Sequence, residues 1–151
     1  MKSLIPKDDL YAQKVSESFS RQEVMKTIGV NIVSVEPGKL ELEFSHNAKL
    51  TQQHGFIHGG IVTTVLDSAC GYAALSLMPK DSAVLTVEFK TNFMSPAQGE
   101  KFSAFGSVKK AGKTITVCDG ELFALHDNQK KLVATMTATL MAIRNREGIV
   151  G

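Results

Sequence analysis

Charge imbalance, cysteine and an apolar leader are all scarce in this chain, and each scarcity excludes something. A net charge of +2 over 151 residues is too small to point to nucleic acid, and no paired DNA-binding helices or basic arm stand out. There are only two cysteines, Cys70 and Cys118. Neither has metal-type spacing, and both sit in apolar periodic segments, as small buried side chains of a reducing compartment do. The N-terminal stretch mixes Lys7, Asp8, Asp9 and Glu17 and so lacks the continuous apolar run of a secretory signal. Repeats, linkers and low-complexity segments are absent too. What remains, 43% hydrophobic and 21% charged residues, describes one ordinary globular domain with its own core, expected in the cytoplasm.

The stretch from His54 to Leu77 organises the rest. After Gly59-Gly60 it is apolar or small on every side for five helical turns, with Asp67 as its single charge. A helix hydrophobic all round belongs inside a protein, and a carboxylate there must be paired, hydrogen-bonded or used. The run is about long enough to cross a bilayer, but Asp67, the Thr and Ser residues and the alternating strands that follow argue for a soluble core.

Upstream, residues 8–27 carry an amphipathic pattern (Leu10, Val15, Phe19, Val24, Met25) that predicts a helix capped by Asp8 or Asp9. With Ile28 this forms an N-terminal helical extension over residues 1–28. Residues 31–36 and 39–45 alternate around Pro37-Gly38 and predict a hairpin. A loop leads into the central helix, which Pro79 ends. Four strands follow, over 83–93, 101–109, 114–126 and 132–143, and a loose tail over 144–151. In the first of them Leu85, Val87, Phe89, Thr91 and Phe93 are expected on one face and Val84, Thr86, Glu88, Lys90 and Asn92 on the other. The order predicts an α+β fold: an antiparallel meander curved around the buried helix. Gly71, inside that helix, costs about 1 kcal/mol relative to alanine, which a close helix–strand approach would offset.

The Gly59 N–H, unpaired at a helix start, is suited to polarising a carbonyl oxygen. Asp67 could attack the carbonyl carbon or deprotonate a water that does; alternatively it is a buried acid capped by Thr or Ser hydroxyls. The glycine pair favours the chemical role. Eight residues of helix put the two about 12 Å apart along one axis, so if both act on one atom the acid comes from a second chain related by a two-fold. His58 is either a second ligand for the oxygen or an orienter of the loop. His46 and His54 read as exposed loop residues, and a third ligand for a metal at His54 and His58 is missing. Lys109, Lys110 and Lys113, with Lys130 and Lys131, are either solvated turns or a landing place for phosphates.

His58-Gly59-Gly60 with Asp67 nine residues after the histidine, Thr86-Val87-Glu88, Asn92-Phe93-Met94-Ser95-Pro96-Ala97, Gly112-Lys113-Thr114 and Lys131-Leu132-Val133-Ala134 together resemble the hotdog-fold acyl-CoA thioesterases of the PaaI and acyl-CoA thioesterase 13 type, over roughly residues 30–143. The resemblance implies an antiparallel sheet wrapped around a long helix and hydrolysis of acyl-CoA, with coenzyme A as part of the substrate and no other cofactor. It implies homodimers paired into tetramers, Asp67 as general base or nucleophile, and the Gly59 amide, followed by Gly60, as donor to the carbonyl oxygen. A Ser or Thr on the strand of Thr86 would help position the water, and His58 would face the thioester. Gln52 stands where the family often has Asn, with Gln53 beside it as the other candidate to hold the water. Lys90, Asn92, Lys110, Gly112, Lys113 and Thr114 are the positions implied for the nucleotide end. Competing readings are a hotdog hydratase or dehydratase, whose His-and-acid motif is not seen, and a non-catalytic acyl-CoA sensor. Phe56, Ile57, Tyr72 and Leu75 either line an acyl tunnel or are core.

Overall fold

The computed structural model describes residues 4–151, so residues 1–3 of the expected N-terminal extension lie outside the described residues. Two short helices, α1 (Tyr11–Ser20) and α2 (Glu23–Ile28), precede the hairpin β1 (Asn31–Glu36) and β2 (Lys39–Ser45). The central helix α3 (Gly59–Leu75) is followed by β3 (Ser82–Phe93), β4 (Lys101–Ala111), β5 (Ile115–His126) and β6 (Gln129–Arg144). All six strands form one antiparallel sheet, ordered β1-β2-β4-β5-β6-β3, which curves around α3. This is the helix-in-sheet architecture that the resemblance implies.

The close approach of helix to sheet is made by glycines of the strands, not by Gly71. Gly106 on β4 and Gly120 on β5 face each other in register. A Cβ on Gly106 would fall 2.2 Å from the Ala69 carbonyl oxygen, and one on Gly120 would fall 3.0 Å from Cys70 Sγ. Two adjacent strands thus let the helix backbone press onto the sheet, and the small residues Ala69, Cys70 and Ala73 are fully buried there. A Cβ on Gly71 would meet nothing within 4 Å. The two glycines should therefore respond to alanine with opposite signs. Gly106→Ala forces backbone against backbone and is expected to lose about 1–3 kcal/mol or more. Gly71→Ala removes a helix-interior glycine and is expected to gain up to about 1 kcal/mol. Thermal midpoints read both, at about 2–4 °C per kcal/mol for a chain of this size.

Several sequence expectations are corrected. The amphipathic stretch of residues 8–27 is two helices: Gln22 is extended (φ −79°, ψ 100°), and its side-chain oxygen accepts a 3.1 Å hydrogen bond from Ser68 Oγ. The break lets both Val15 and Met25 reach the core, each at zero exposure. Asp8 does not cap α1; the cap position is Leu10, whose N–H donates to Asp8 Oδ1 at 3.0 Å. The hairpin stands as expected, with Gly38 at φ +75° after Pro37. The strands after α3 are not a simple meander. Only β4, β5 and β6 meander; β2 occupies one side of β4, and β3 pairs with β6 at the far edge. At the tip between β5 and β6, Asp127 and Asn128 both take positive φ, forming a two-residue turn that lets β6 pair from Gln129 onward.

The alternation in β3 is also interrupted. Thr86 lies opposite Leu140 but Glu88 opposite Thr139, so Val87 is an extra residue, a β-bulge. One extra residue moves all later side chains to the other face. Phe89 and Phe93, opposite buried Ala138 and Ala134, join Thr86 on the helix side; Glu88, Lys90 and Asn92 turn outward. Of residues 144–151, expected to be loose, Arg144 ends β6 and residues 145–151 form no helix or strand, yet the Gly151 carbonyl accepts a hydrogen bond from the Arg21 guanidinium.

Candidate active site

The N-terminus of α3 is set by a histidine cap. His58 has φ −59° and ψ 137°, and its Nδ1 accepts the Gly60 N–H at 2.8 Å. Its carbonyl accepts from Ile61 and Val62 at 2.9 and 3.2 Å. Among the described residues the Gly59 N–H has no acceptor, so one donor of the first turn stays open at the positive end of the helix dipole. This contact orients the loop at the start of α3 and occupies Nδ1, with Nε2 the ring nitrogen left for any other partner. Both glycines also have steric reasons. A Cβ on Gly59 would lie 3.1 Å from Phe93 Cζ, and one on Gly60 would lie 3.0 Å from His58 Nδ1. Beside Gly59 a depression of about 450 Å³ is lined by Gln52, Phe56, Val62 and Phe93.

Asp67 lies two turns further along the same helix. Its carboxylate is half-buried and accepts a 2.7 Å hydrogen bond from Thr86 Oγ1. Burial pushes its pKa above the usual carboxylate range, and the Thr86 hydroxyl pulls it partly back. The bulge at Val87 makes this contact selective, because Thr86 is the last residue of β3 before the inward face changes register. Asp67 opens on a cavity of about 580 Å³ between α3, the α1–α2 junction and β3. A carboxylate of raised basicity, held by one hydroxyl at a cavity mouth, can accept a proton from water or attack an electrophilic carbon.

Of the two glutamines, Gln52 faces the Gly59 depression, whereas Gln53 is exposed and touches His54 at 3.4 Å. Gln52 Oε1 accepts from the His54 N–H, which holds the loop and leaves the Gln52 amide nitrogen free to act as a donor. The nucleotide-end positions do not come together in one chain. Thr114 binds the Ala142 N–H through its carbonyl at 2.8 Å, and Lys110, Gly112 and Lys113 surround that turn. Lys90 and Asn92 lie opposite Thr137 and Thr135, about 17 Å or more along β6 from Ala142. Cys70 and Cys118 are buried with thiol pKa values raised by desolvation, Cys118 to about 12, and play no part here.

Two residues beside the site were not legible as site residues. Phe93 covers Gly59, but its inward face depends on the bulge. Gln22 reaches Ser68, one residue past Asp67, only because the first helix breaks. A polar residue on the apolar side of an amphipathic pattern was the one available signal for it.

A long central helix wrapped by a six-stranded antiparallel sheet, with an open amide at the helix tip and a half-buried carboxylate at mid-length, is the hotdog fold. The model of the thioesterase superfamily matches residues 54–131, from the loop before the diglycine through β6's start. The chain belongs to the thioesterase superfamily, and thioester hydrolysis is its chemistry. A crystal structure of a thioesterase family protein from Silicibacter pomeroyi superposes with a TM-score of 0.89 at 56% identity, covering 89% of this chain and 99% of that one. The PaaI protein of the Escherichia coli phenylacetic acid degradation operon shares the fold at TM-score 0.79 and 23% identity, with 93% and 95% covered. Among curated relatives, a candidate esterase of Saccharolobus solfataricus is 32% identical over 143 residues, 95% of this chain and 91% of its own length. A 1,4-dihydroxy-2-naphthoyl-CoA hydrolase of Listeria monocytogenes is 26% identical over 124 residues, 82% and 98% respectively. Among the described residues no helix is long and apolar enough to cross a membrane.

Proposed function

We propose that the chain hydrolyses acyl-CoA thioesters to a free acid and coenzyme A, in a site shared between two copies. The observation that carries this is the Asp67 carboxylate, of raised basicity, held by Thr86 at the mouth of a cavity. The motif resemblance and the CoA-thioester hydrolase among the relatives supply the substrate class.

The open Gly59 amide and Asp67 of one chain are about 12 Å apart on one axis and cannot serve one carbonyl. The free edge of β3 supplies the partner. Leu85, Val87, Phe89 and Phe93 there are 41–55% exposed, an unpaired apolar edge that a globular chain does not leave to solvent. Two copies joined antiparallel along β3 bring the Gly59 end of one helix toward Asp67 of the other. The same two-fold brings the Lys90 end of one β3 toward the partner's Lys113 turn. Dimers pair again into a tetramer.

The thioester carbonyl oxygen then accepts from the Gly59 amide of one subunit while Asp67 of the other stands behind the carbonyl carbon. Two routes share this geometry. Asp67 can take a proton from a water positioned by Thr86 and Gln52; the resulting hydroxide adds to the carbon, and the collapsing oxyanion expels the CoA thiolate, which takes up a proton. Alternatively an Asp67 oxygen adds, the thiolate leaves, and water hydrolyses the acyl–aspartyl anhydride. Either route ends in acid, free thiol and a regenerated carboxylate. No metal or organic cofactor is needed in either.

A panel of acyl-CoAs followed by thiol release, with light scattering for the assembly, tests this. Turnover of at least one acyl-CoA by a dimer or tetramer is expected. Tight binding with no thiol released across the panel would make the chain a binding protein. Hydration of 2-enoyl-CoA in place of cleavage would make it a hydratase.

A further inference from the structure

We propose that the acyl group lies in the cavity that runs from Asp67 past Gly71, that Gly71 sets its free width, and that Ser18, Gln22 and Tyr72 wall its α1–α2 side with polar groups that favour a short acyl group. The inference rests on the thioesterase reading and adds the specificity that this chain's own N-terminal helices impose.

Gly71 stands one helical turn beyond Asp67 on the same face. It is buried, yet a Cβ placed on it would meet no heavy atom within 4 Å. A buried position with empty space before it is unusual in a packed helix, where interiors are filled to crystal-like density. Here the space belongs to the 580 Å³ cavity, which Gly71 lines together with Asp67. The helix accepts the conformational cost of glycine at this point with no packing return from the strands, since the close approach to the sheet is made at Gly106 and Gly120.

The wall on the side of the α1–α2 junction is polar, whereas Leu75, Ala83 and Leu85 line the cavity beyond Gly71. Ser68 Oγ donates to Gln22 Oε1 at 3.1 Å, and Ser18 Oγ and the Tyr72 hydroxyl share a hydrogen bond of 3.3 Å. These contacts hold the extended residue Gln22 against α3, so the helix break and the cavity wall are one feature. Tyr72 is five residues past Asp67, about 7.5 Å along the axis. A longer alkyl chain would strip water from these hydroxyl and amide groups and return no hydrogen bond, a penalty of the kind that rejects apolar groups from polar sites. The thiol side of the substrate has the opposite requirement, since its long polar arm must leave toward solvent. It therefore departs on the open Gly59 side, not into a cavity walled by α1–α2, β3 and residues 148–151.

The test compares kcat/KM for acetyl-, hexanoyl- and decanoyl-CoA in the parent chain and in Gly71→Ala, Gly71→Leu and Gln22→Leu. In Gly71→Leu the hexanoyl-to-acetyl ratio is expected to fall by about tenfold or more, since leucine fills the width that the chain would occupy. In Gln22→Leu the decanoyl-to-hexanoyl ratio is expected to rise by about fivefold, the polar wall having become apolar. Gly71→Ala is expected to show the Gly71→Leu shift in smaller measure with an unchanged or higher thermal midpoint, and it carries the test if the leucine variant does not fold. Ratios within about twofold of the parent in folded Gly71 variants would overturn the assignment while leaving the thioesterase reading intact. A parent chain that cleaves no acyl-CoA at all would overturn that reading first, and this inference with it.

Discussion

Asp67→Asn is expected to lower kcat/KM for acyl-CoA hydrolysis by about 10²–10⁴-fold while leaving the fold intact. Asparagine keeps the shape and can still accept the Thr86 hydroxyl, which lies 2.7 Å from Asp67 Oδ1. What it cannot do is accept a proton at neutral pH or form a stable acyl intermediate, so the loss falls on kcat more than on KM. The same substitution separates function from stability. Burial raises the Asp67 pKa, which means that folding favours the neutral acid more than the unfolded chain does. Such a group contributes stability at low pH and loses it as pH rises through the raised, folded-state pKa. Asp67→Asn, which cannot ionise, is therefore expected to melt higher than the parent at neutral pH, with the gain fading in acid. Activity runs the other way: kcat/KM of the parent falls as pH drops through a pKa above the ordinary carboxylate range. Parent-like turnover by a purified, folded Asp67→Asn would remove Asp67 from the mechanism.

Gly59→Pro is the second large effect, expected to cost about 10²–10³-fold in kcat. Proline is tolerated at the first position of a helix because its missing N–H has no helical partner there. His58, at φ −59° and ψ 137°, already has the backbone that a following proline requires. The substitution thus deletes the one open amide without breaking α3. Gly59→Ala is the control. It brings a Cβ to the same place, 3.1 Å from Phe93 Cζ, but keeps the N–H, so the difference between the two variants isolates the donor. Mixing them across subunits tests the two-fold. Gly59→Pro and Asp67→Asn chains, each nearly inactive alone, should after refolding together recover about a quarter of parental activity, because half of the dimers are mixed and each mixed dimer holds one intact site of two. No recovery from mixed dimers would rule out a site that takes its amide from one chain and its acid from the other.

The sequence alone determined the elements that rest on local chemistry. The Pro37-Gly38 turn, the all-apolar helix with its lone acid, and the alternating strands follow from side-chain period and turn preference, which neighbouring residues largely decide. The diglycine and Asp67 stand out in the sequence as the candidate chemical groups, and helix rise alone keeps those of one chain about 12 Å apart. Only the tertiary structure decided the rest. No proline or glycine marks the break at Gln22, where the contact with Ser68 and the burial of Val15 and Met25 depend on residues distant in sequence. Periodicity cannot reveal a bulge whose extra residue, Val87, is itself a good strand former, yet that residue turns Phe93 onto Gly59 and Lys90 outward. The surroundings of Gly71 are hidden from the sequence for the same reason. A glycine in a helix announces missing volume, but whether a strand or an empty cavity lies opposite depends on contacts distant in sequence, and here Gly106 and Gly120 meet the helix while Gly71 faces open space.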